Sequence, residues 1–234
     1  MYEVWVSDAS TQPIAAALDV LSEDEQRRAD QFLFAQDRKR FVVAHALKRL
    51  CLSQKLDRAA PQALHFATLS FGKPVLLDET QRYHFSLSHS GEGCAVAVSD
   101  RGRCGVDIEL LERKNALPEA LRRVMTSREW QAVEKADHRE REFMKRWALK
   151  EAYAKWIGLG LHLQFESLCT EQIHWIDRAF GSFEGTRCWR MISGPFVIAA
   201  CGKGLSSRRI ARTERAFPLS GGHQLHAHCY EFSN

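Results

Sequence analysis

The sequence predicts an α+β fold, on three observations. Short strands follow helices in blocks instead of alternating with them one by one. Two capping boxes, Ser22-Glu23-Asp24-Glu25 and Thr126-Ser127-Arg128-Glu129, open helices. The apolar pattern also changes from helical spacing to period two after Pro61, and returns to helical spacing near Glu119. With 234 residues, the chain suffices for one large domain or two small subdomains sharing an interface.

Tyr2 to Val6 reads as a first strand. The helix capped by Ser22 runs through Arg27, Arg28 and Phe32. A second helix covers Asp37 to Leu56, where Phe41, Ala44, Leu47, Lys48, Cys51 and Leu52 recur at helical spacing. Pro61 closes that region, because a proline disfavours helical geometry in the residue before it. Phe71-Gly72-Lys73-Pro74-Val75 is a turn leading into a strand. His84 to His89 alternates with period two, Cys94 to Val98 is a buried strand, and Cys104 to Leu110 follows the turn Asp100-Arg101-Gly102. Glu119 to Val124 reads as helical. Thr126 launches a helix through Trp130 and Val133, and the longest helix, Glu140 to Ile157, stops at Gly158-Leu159-Gly160. Strands are expected at His174 to Ile176, Cys188 to Ile192 and Phe196 to Cys201. From Gly202 onward periodicity is lost. The expected division is 1–103, 104–205, and an irregular tail over 206–234.

Hydrophobic residues make up 45% and charged residues 26%, the balance of an ordinary soluble globular protein. No apolar run approaches the roughly 18 to 20 residues of a membrane span. The start Met1-Tyr2-Glu3-Val4-Trp5 has no basic segment followed by an apolar one, so no secretory signal is expected. Seven cysteines, an odd number without a C-x-x-C pair, point to reduced thiols filling the core, and so to the cytoplasm. A net charge of +4 identifies no partner.

In the strand Cys104 to Leu110, alternation puts Asp107 and Glu109 on one face. Two carboxylates about 6 to 7 Å apart repel each other unless a positive charge lies between them, and a divalent ion with oxygen ligands supplies one. Magnesium suits it, since it takes one or two carboxylates and fills its other positions with water and phosphate oxygens. A solvated polar face on an edge strand is the plainer alternative. On the long helix, Trp147, Glu151 and Lys155 are spaced i, i+4, i+8 on one face, with Lys150 about 100° away. Glu151 with Lys155 is either a surface ion pair or a third acid and a phosphate-neutralising ammonium.

Gly105-Val106-Asp107-Ile108-Glu109 and Trp147-Ala148-Leu149-Lys150-Glu151-Ala152-Tyr153-Ala154-Lys155 resemble the two signature motifs of the 4′-phosphopantetheinyl transferases, at the family's separation of about forty residues. Gly72-Lys73-Pro74, Phe85-Ser86-Leu87-Ser88-His89-Ser90 and Arg28-Ala29-Asp30-Gln31-Phe32-Leu33-Phe34 resemble three further family motifs, in order. The length resembles that of the long, monomeric type, which joins two similar α+β subdomains in pseudo-two-fold arrangement.

The resemblance implies transfer of the 4′-phosphopantetheine arm of coenzyme A to a serine of an acyl, aryl or peptidyl carrier protein, as in fatty acid, polyketide or nonribosomal peptide synthesis. Adenosine 3′,5′-bisphosphate is released. Asp107, Glu109 and Glu151 would hold Mg2+, or Mn2+ in its place. Lys155 would contact the diphosphate, with Lys150 nearby, and Glu151 could also take the serine proton. Glu129 is a second candidate base, or only the third-position partner of Thr126 in its capping box. Arg28, Lys73, Ser88 and His89 match positions that grip the nucleotide and 3′-phosphate, and Ser86 lies on the same strand. Phe71 and Thr68 stand where many relatives carry Lys or Arg.

The carrier's docking surface is expected at Gly158 to Leu163 and Arg113 to Met125, with Leu117, Leu121 and Met125 as apolar contacts and Arg122 and Arg123 as charge. A nucleic-acid-binding module is the first rival, from Arg38-Lys39-Arg40 and the basic stretch Lys203 to Arg215. Nearby acids offset the first cluster, and no nucleic-acid motif accompanies either. His223, His226, His228 and Cys229 fit no zinc spacing and read as a His-rich tail.

Overall fold

The structure, a computed structural model, describes residues 1–57, 59–77, 82–112, 119–176, 179–183, 185–206 and 209–233. In chain order the elements are β1 (Tyr2–Asp8), α1 (Ile14–Leu18), α2 (Glu23–Asp30), α3 (Ala35–Lys55), β2 (Phe66–Thr68), β3 (Pro74–Leu76), β4 (His84–Ser90), β5 (Gly93–Ser99), β6 (Cys104–Leu110), α4 (Ser127–Lys135), α5 (Arg139–Ile157), β7 (His174–Trp175), β8 (Phe180–Phe183), β9 (Thr186–Ser193), β10 (Phe196–Gly202), β11 (Arg209–Pro218) and β12 (Gln224–Ser233). Both capping boxes form as the sequence predicts, with Ser22 and Thr126 accepting from the backbone N–H of Glu25 and Glu129.

The strands make two antiparallel five-stranded sheets, ordered β11-β12-β1-β5-β4 and β6-β10-β9-β8-β7, and β2 pairs with β3 as a separate ribbon. Alternation along each strand sorts side chains into three cores. In β5, Cys94, Val96 and Val98 join α1 to α3 in one core. Ala95 and Ala97 turn the other way, to meet Val106 and Ile108 of β6 and Ile198 and Ala200 of β10. The outer face of the second sheet, with Val197, Ala199 and Cys201, is covered by α4 and α5. The α+β expectation therefore holds, as helices, sheet, sheet and helices in layers.

The tail differs from its expectation. Residues 209–233 form two ten-residue strands, and β12 pairs with β1 in the register Tyr2↔Phe232 and Val4↔Tyr230. Leu225, Ala227 and Cys229 point into the core under α3, while His226 between them is exposed and His228 half-buried. The histidines are the outward positions of a strand, and Cys229 faces away from them. The period-two signal was present, but polar residues on the outward face and Gly221-Gly222 between the strands masked it. The end of the chain thus completes the first sheet instead of forming an irregular tail.

Two glycines set how α5 lies on the second sheet. A Cβ on Gly105 would stand 1.9 Å from the Ala152 carbonyl oxygen and 2.5 Å from the Trp156 nitrogen, so only glycine lets the helix rest on the start of β6. Gly158, at φ +88°, ends the helix in the left-handed conformation, and its N–H donates to the Ala154 carbonyl. The same face of β6 that admits α5 at Gly105 carries Asp107 and Glu109 two and four residues later.

Candidate active site

β4 and β6 are the edge strands of their sheets and lie side by side without a shared backbone ladder. Serines on one face of β4 stitch them. Ser86 Oγ accepts from the Val106 N–H at 3.1 Å, and Ser88 Oγ donates to Asp107 Oδ1 at 2.7 Å. Ser90 Oγ donates to Glu109 Oε2 at 2.7 Å and accepts from the Leu110 N–H. From α5, Lys155 Nζ reaches Asp107 Oδ1 at 2.7 Å, and the Trp147 indole N–H donates to Glu109 Oε1 at 3.1 Å. Glu151 lies between Trp147 and Lys155 along that helix face.

The electrostatics follow from this packing. Burial pushes the Glu151 carboxyl up to about 7; Lys155 pulls it back, and the negative charges of Asp107 and Glu109 push it further up. Asp107 Oδ2 is buried and has no hydrogen-bond partner. Among the described residues no three His, Cys, Asp or Glu side chains form a finished coordination cage. Asp107, Glu109 and Glu151 therefore interact without closing up as a ligand set, and the nearest cation to Asp107 is Lys155. The donor set does fit a hard divalent ion, because an orphaned buried carboxylate oxygen and an acid pushed up by burial and by neighbouring acids would both gain from one.

Several expected site residues are spent elsewhere. Lys150 and Glu129 are fully buried and paired at 2.7 Å, and the Lys150 ammonium also donates to the carbonyls of Val124 and Phe165. Neither side chain reaches solvent, and the pair lies apart from the acid cluster that was expected to share Lys150. Lys73 donates to the carbonyl oxygens of Cys104 and Lys155, which ties the β2–β3 ribbon to the end of α5. Burial lowers its ammonium pKa. Ser86 and Ser88 serve β6, as described above. The spacing motif alone does not show these partners, because they come from elements far away in sequence.

Arg28 is exposed and lies over the Phe41 ring at 5.6 Å, on a cleft of about 920 Å3 that His45, Lys48, Arg49 and His65 also line. His89 is exposed at the end of β4. Partial desolvation of its ring against the strand, then the nearby charges of Arg40 and Lys155, hold its pKa below the ordinary value. Ser90 and Trp147, which hold Glu109, were not among the expected site residues. The signal for Ser90 was its place two residues beyond Ser88 on the same strand face. Of the expected docking contacts, Met125 is buried and Leu121 packs on the core under α4 and α5, whereas Arg122 and Arg123 are exposed. Residues 113–118, Leu117 included, lie outside the described residues. In the loop after α5, Leu161 is 79% exposed.

Comparison with known proteins covers both halves. Residues 103–201 match the 4′-phosphopantetheinyl transferase superfamily, and residues 5–101 match the N-terminal part of a 4′-phosphopantetheinyl transferase. The chain is 26% identical to a putative 4′-phosphopantetheinyl transferase of Synechocystis, over 83% of this chain and 80% of that one. It is 31% identical to the 4′-phosphopantetheinyl transferase HetI of Nostoc, over 66% of this chain and 65% of that one. It is 27% identical to the rat L-aminoadipate-semialdehyde dehydrogenase-phosphopantetheinyl transferase, over 65% of this chain, and spans about half of that protein's length (53%). Matches running in order from residue 5 to residue 201, through β1, β4 and β5 of the first sheet and the acid cluster of β6 and α5, place this chain in the 4′-phosphopantetheinyl transferase superfamily, a family of transferases.

Proposed function

We propose that this protein transfers the 4′-phosphopantetheine group of coenzyme A to a serine hydroxyl of an apo acyl, aryl or peptidyl carrier protein and releases adenosine 3′,5′-bisphosphate. The observation that carries this reading is the meeting of Asp107, Glu109 and Glu151 beside the Lys155 ammonium, with Asp107 Oδ2 buried and unpartnered. Asp107, Glu109 and Glu151 would hold Mg2+, which when bound would neutralise the coenzyme A diphosphate and polarise the phosphorus under attack.

The serine oxygen forms a bond to the pantetheine-bearing phosphorus, and the bond from that phosphorus to the diphosphate bridging oxygen breaks. Glu151 is also the candidate to take the serine proton, directly or through a bound water. Lys155 would lend its ammonium to the leaving phosphate. Arg28 and His89 are the contacts for the nucleotide and 3′-phosphate end. An acidic carrier would meet Leu161 beyond α5 and the exposed Arg122 and Arg123. All seven cysteines are free thiols, which suits a reducing cytoplasm.

The test is the intact mass of a panel of apo carrier proteins after incubation with the protein, coenzyme A and Mg2+. Gain of one phosphopantetheine, with stoichiometric adenosine 3′,5′-bisphosphate, is expected. No gain on any carrier would overturn the reading. Comparing turnover across the panel would identify the class of carrier served.

A further inference from the structure

Lys150 and Glu151 are consecutive on α5 yet face opposite environments, one fully buried and the other at the acid cluster. The Lys150 ammonium has three donors, and all three are met: Glu129 Oε2 at 2.7 Å, the Val124 carbonyl at 2.9 Å and the Phe165 carbonyl at 2.7 Å. Glu129 is equally saturated. Its Oε2 also accepts from the Thr126 N–H at 2.8 Å, and its Oε1 accepts from the Thr170 N–H at 2.8 Å and the Thr170 hydroxyl at 2.6 Å. This closed network joins the start of α4, the segments around Phe165 and Thr170, and the middle of α5.

We propose that Glu129 and Lys150 are positioning residues that fix the rotation of α5, so that Glu151, Lys155 and Trp147 are presented to Asp107 and Glu109. The inference deepens the function proposed above and rests on it. Successive residues on a helix point about 100° apart, so drawing Lys150 into three buried acceptors turns Glu151 toward β6. A turn or slide of α5 would separate Lys155 from Asp107 and the Trp147 indole from Glu109 together, because both contacts come from the same helix. An apolar pair at positions 129 and 150 would fill the space but would leave the Val124 carbonyl and the Thr170 N–H without the partners they have here, so rotation would no longer be specified.

The test measures Mn2+ affinity of the free protein by electron paramagnetic resonance, together with kcat and KM for an apo carrier, in E129Q, K150M and T170V. Circular dichroism checks folding at each temperature used. E129Q and K150M should lose about tenfold or more in Mn2+ affinity and in kcat, with KM for the carrier little changed. T170V, which keeps the volume and removes one donor to Glu129, should show a smaller loss of the same kind. Folded variants that melt earlier but retain the parent's Mn2+ affinity and kcat would overturn the inference. Should E129Q and K150M fail to fold, T170V with parental Mn2+ affinity would overturn it. A parent that binds Mn2+ but modifies no carrier would overturn the proposed function alone, and a parent that binds no Mn2+ would overturn both.

Discussion

Two partly buried charge clusters, one in each half of the molecule, are built with opposite imbalance. Under α2 and α3 a single acid, Glu25, is met by three bases: His45 Nδ1 at 2.8 Å, Lys48 Nζ at 2.6 Å and the Arg49 guanidinium. Between β6 and α5, three acids, Asp107, Glu109 and Glu151, act on one another, with Lys155 paired to Asp107 and drawing on Glu151. Burial opposes ionisation of both Glu25 and Glu151, but its outcome depends on the company. At Glu25 the bonds and charges of His45, Lys48 and Arg49 outweigh burial and hold the carboxyl far below its ordinary range. At Glu151 the neighbouring acids add to burial, and the carboxyl rises to about 7. In the first cluster the one acid is held ionised by an excess of bases, and the cluster acts in stability. In the second, the unpartnered Asp107 Oδ2 and the raised Glu151 carboxyl would both gain from a cation, which suits a site for a metal and a diphosphate.

This contrast can be broken at each end, and the largest effect is expected at Glu25. Replacing it by alanine leaves Lys48 and Arg49, 4% and 2% exposed, without their counter-ion. Urea denaturation should show a loss of about 3–5 kcal/mol. A loss below 1 kcal/mol would mean that the cluster is not a stabilising unit. Next, Asp107→Ala and Glu151→Gln should lower carrier turnover on the order of 10²–10³-fold, with native circular dichroism retained. Unaltered turnover in either variant would remove that residue from the proposed site. Trp147→Phe keeps the ring that packs on Phe143 and Phe165 but removes the N–H donor to Glu109. It should weaken Mn2+ affinity about tenfold, as seen when a ligand loses its supporting donor.

The smallest effect is in pH dependence. Burial lowers the His45 pKa from 6.5 to about 4, against the pull of Glu25. Between these values the unfolded chain binds a proton at His45 and the folded one does not, so stability falls as pH drops from 6.5 toward 4. Below about 4.5 Glu25 adds a loss of the same sign, because its folded carboxylate stays ionised while the unfolded one protonates. His45→Phe, which keeps the stack on Phe41, should flatten the first part of the fall in melting temperature. An unchanged slope between pH 6.5 and 4 would contradict this account of His45.

Much of the framework was legible because it is local. The capping boxes of Ser22 and Thr126 depend on residues three apart, and the shared face of Asp107 and Glu109 depends on residues two apart. What escaped is long-range. Glu25 was readable as the third residue of a capping box, but not as the counter-ion of Lys48 and Arg49 on another helix. Lys73 and Lys150 have the charge a phosphate site needs, yet the fold spends both on backbone carbonyls, and Lys150 on Glu129 as well. β12 escaped because its place in the sheet is set by pairing with β1, more than two hundred residues earlier, and β11 pairs only with β12. Even the length, which suggested two subdomains, did not show that the chain returns to complete the first sheet.

The most direct test of the central claim is chelation and rescue followed by intact mass. An apo carrier incubated with this protein and coenzyme A should gain no mass in excess chelator, and should gain one phosphopantetheine once Mg2+ or Mn2+ is restored. Full transfer in chelator would contradict the role given to Asp107, Glu109 and Glu151, and no transfer under any condition would contradict the proposed activity itself.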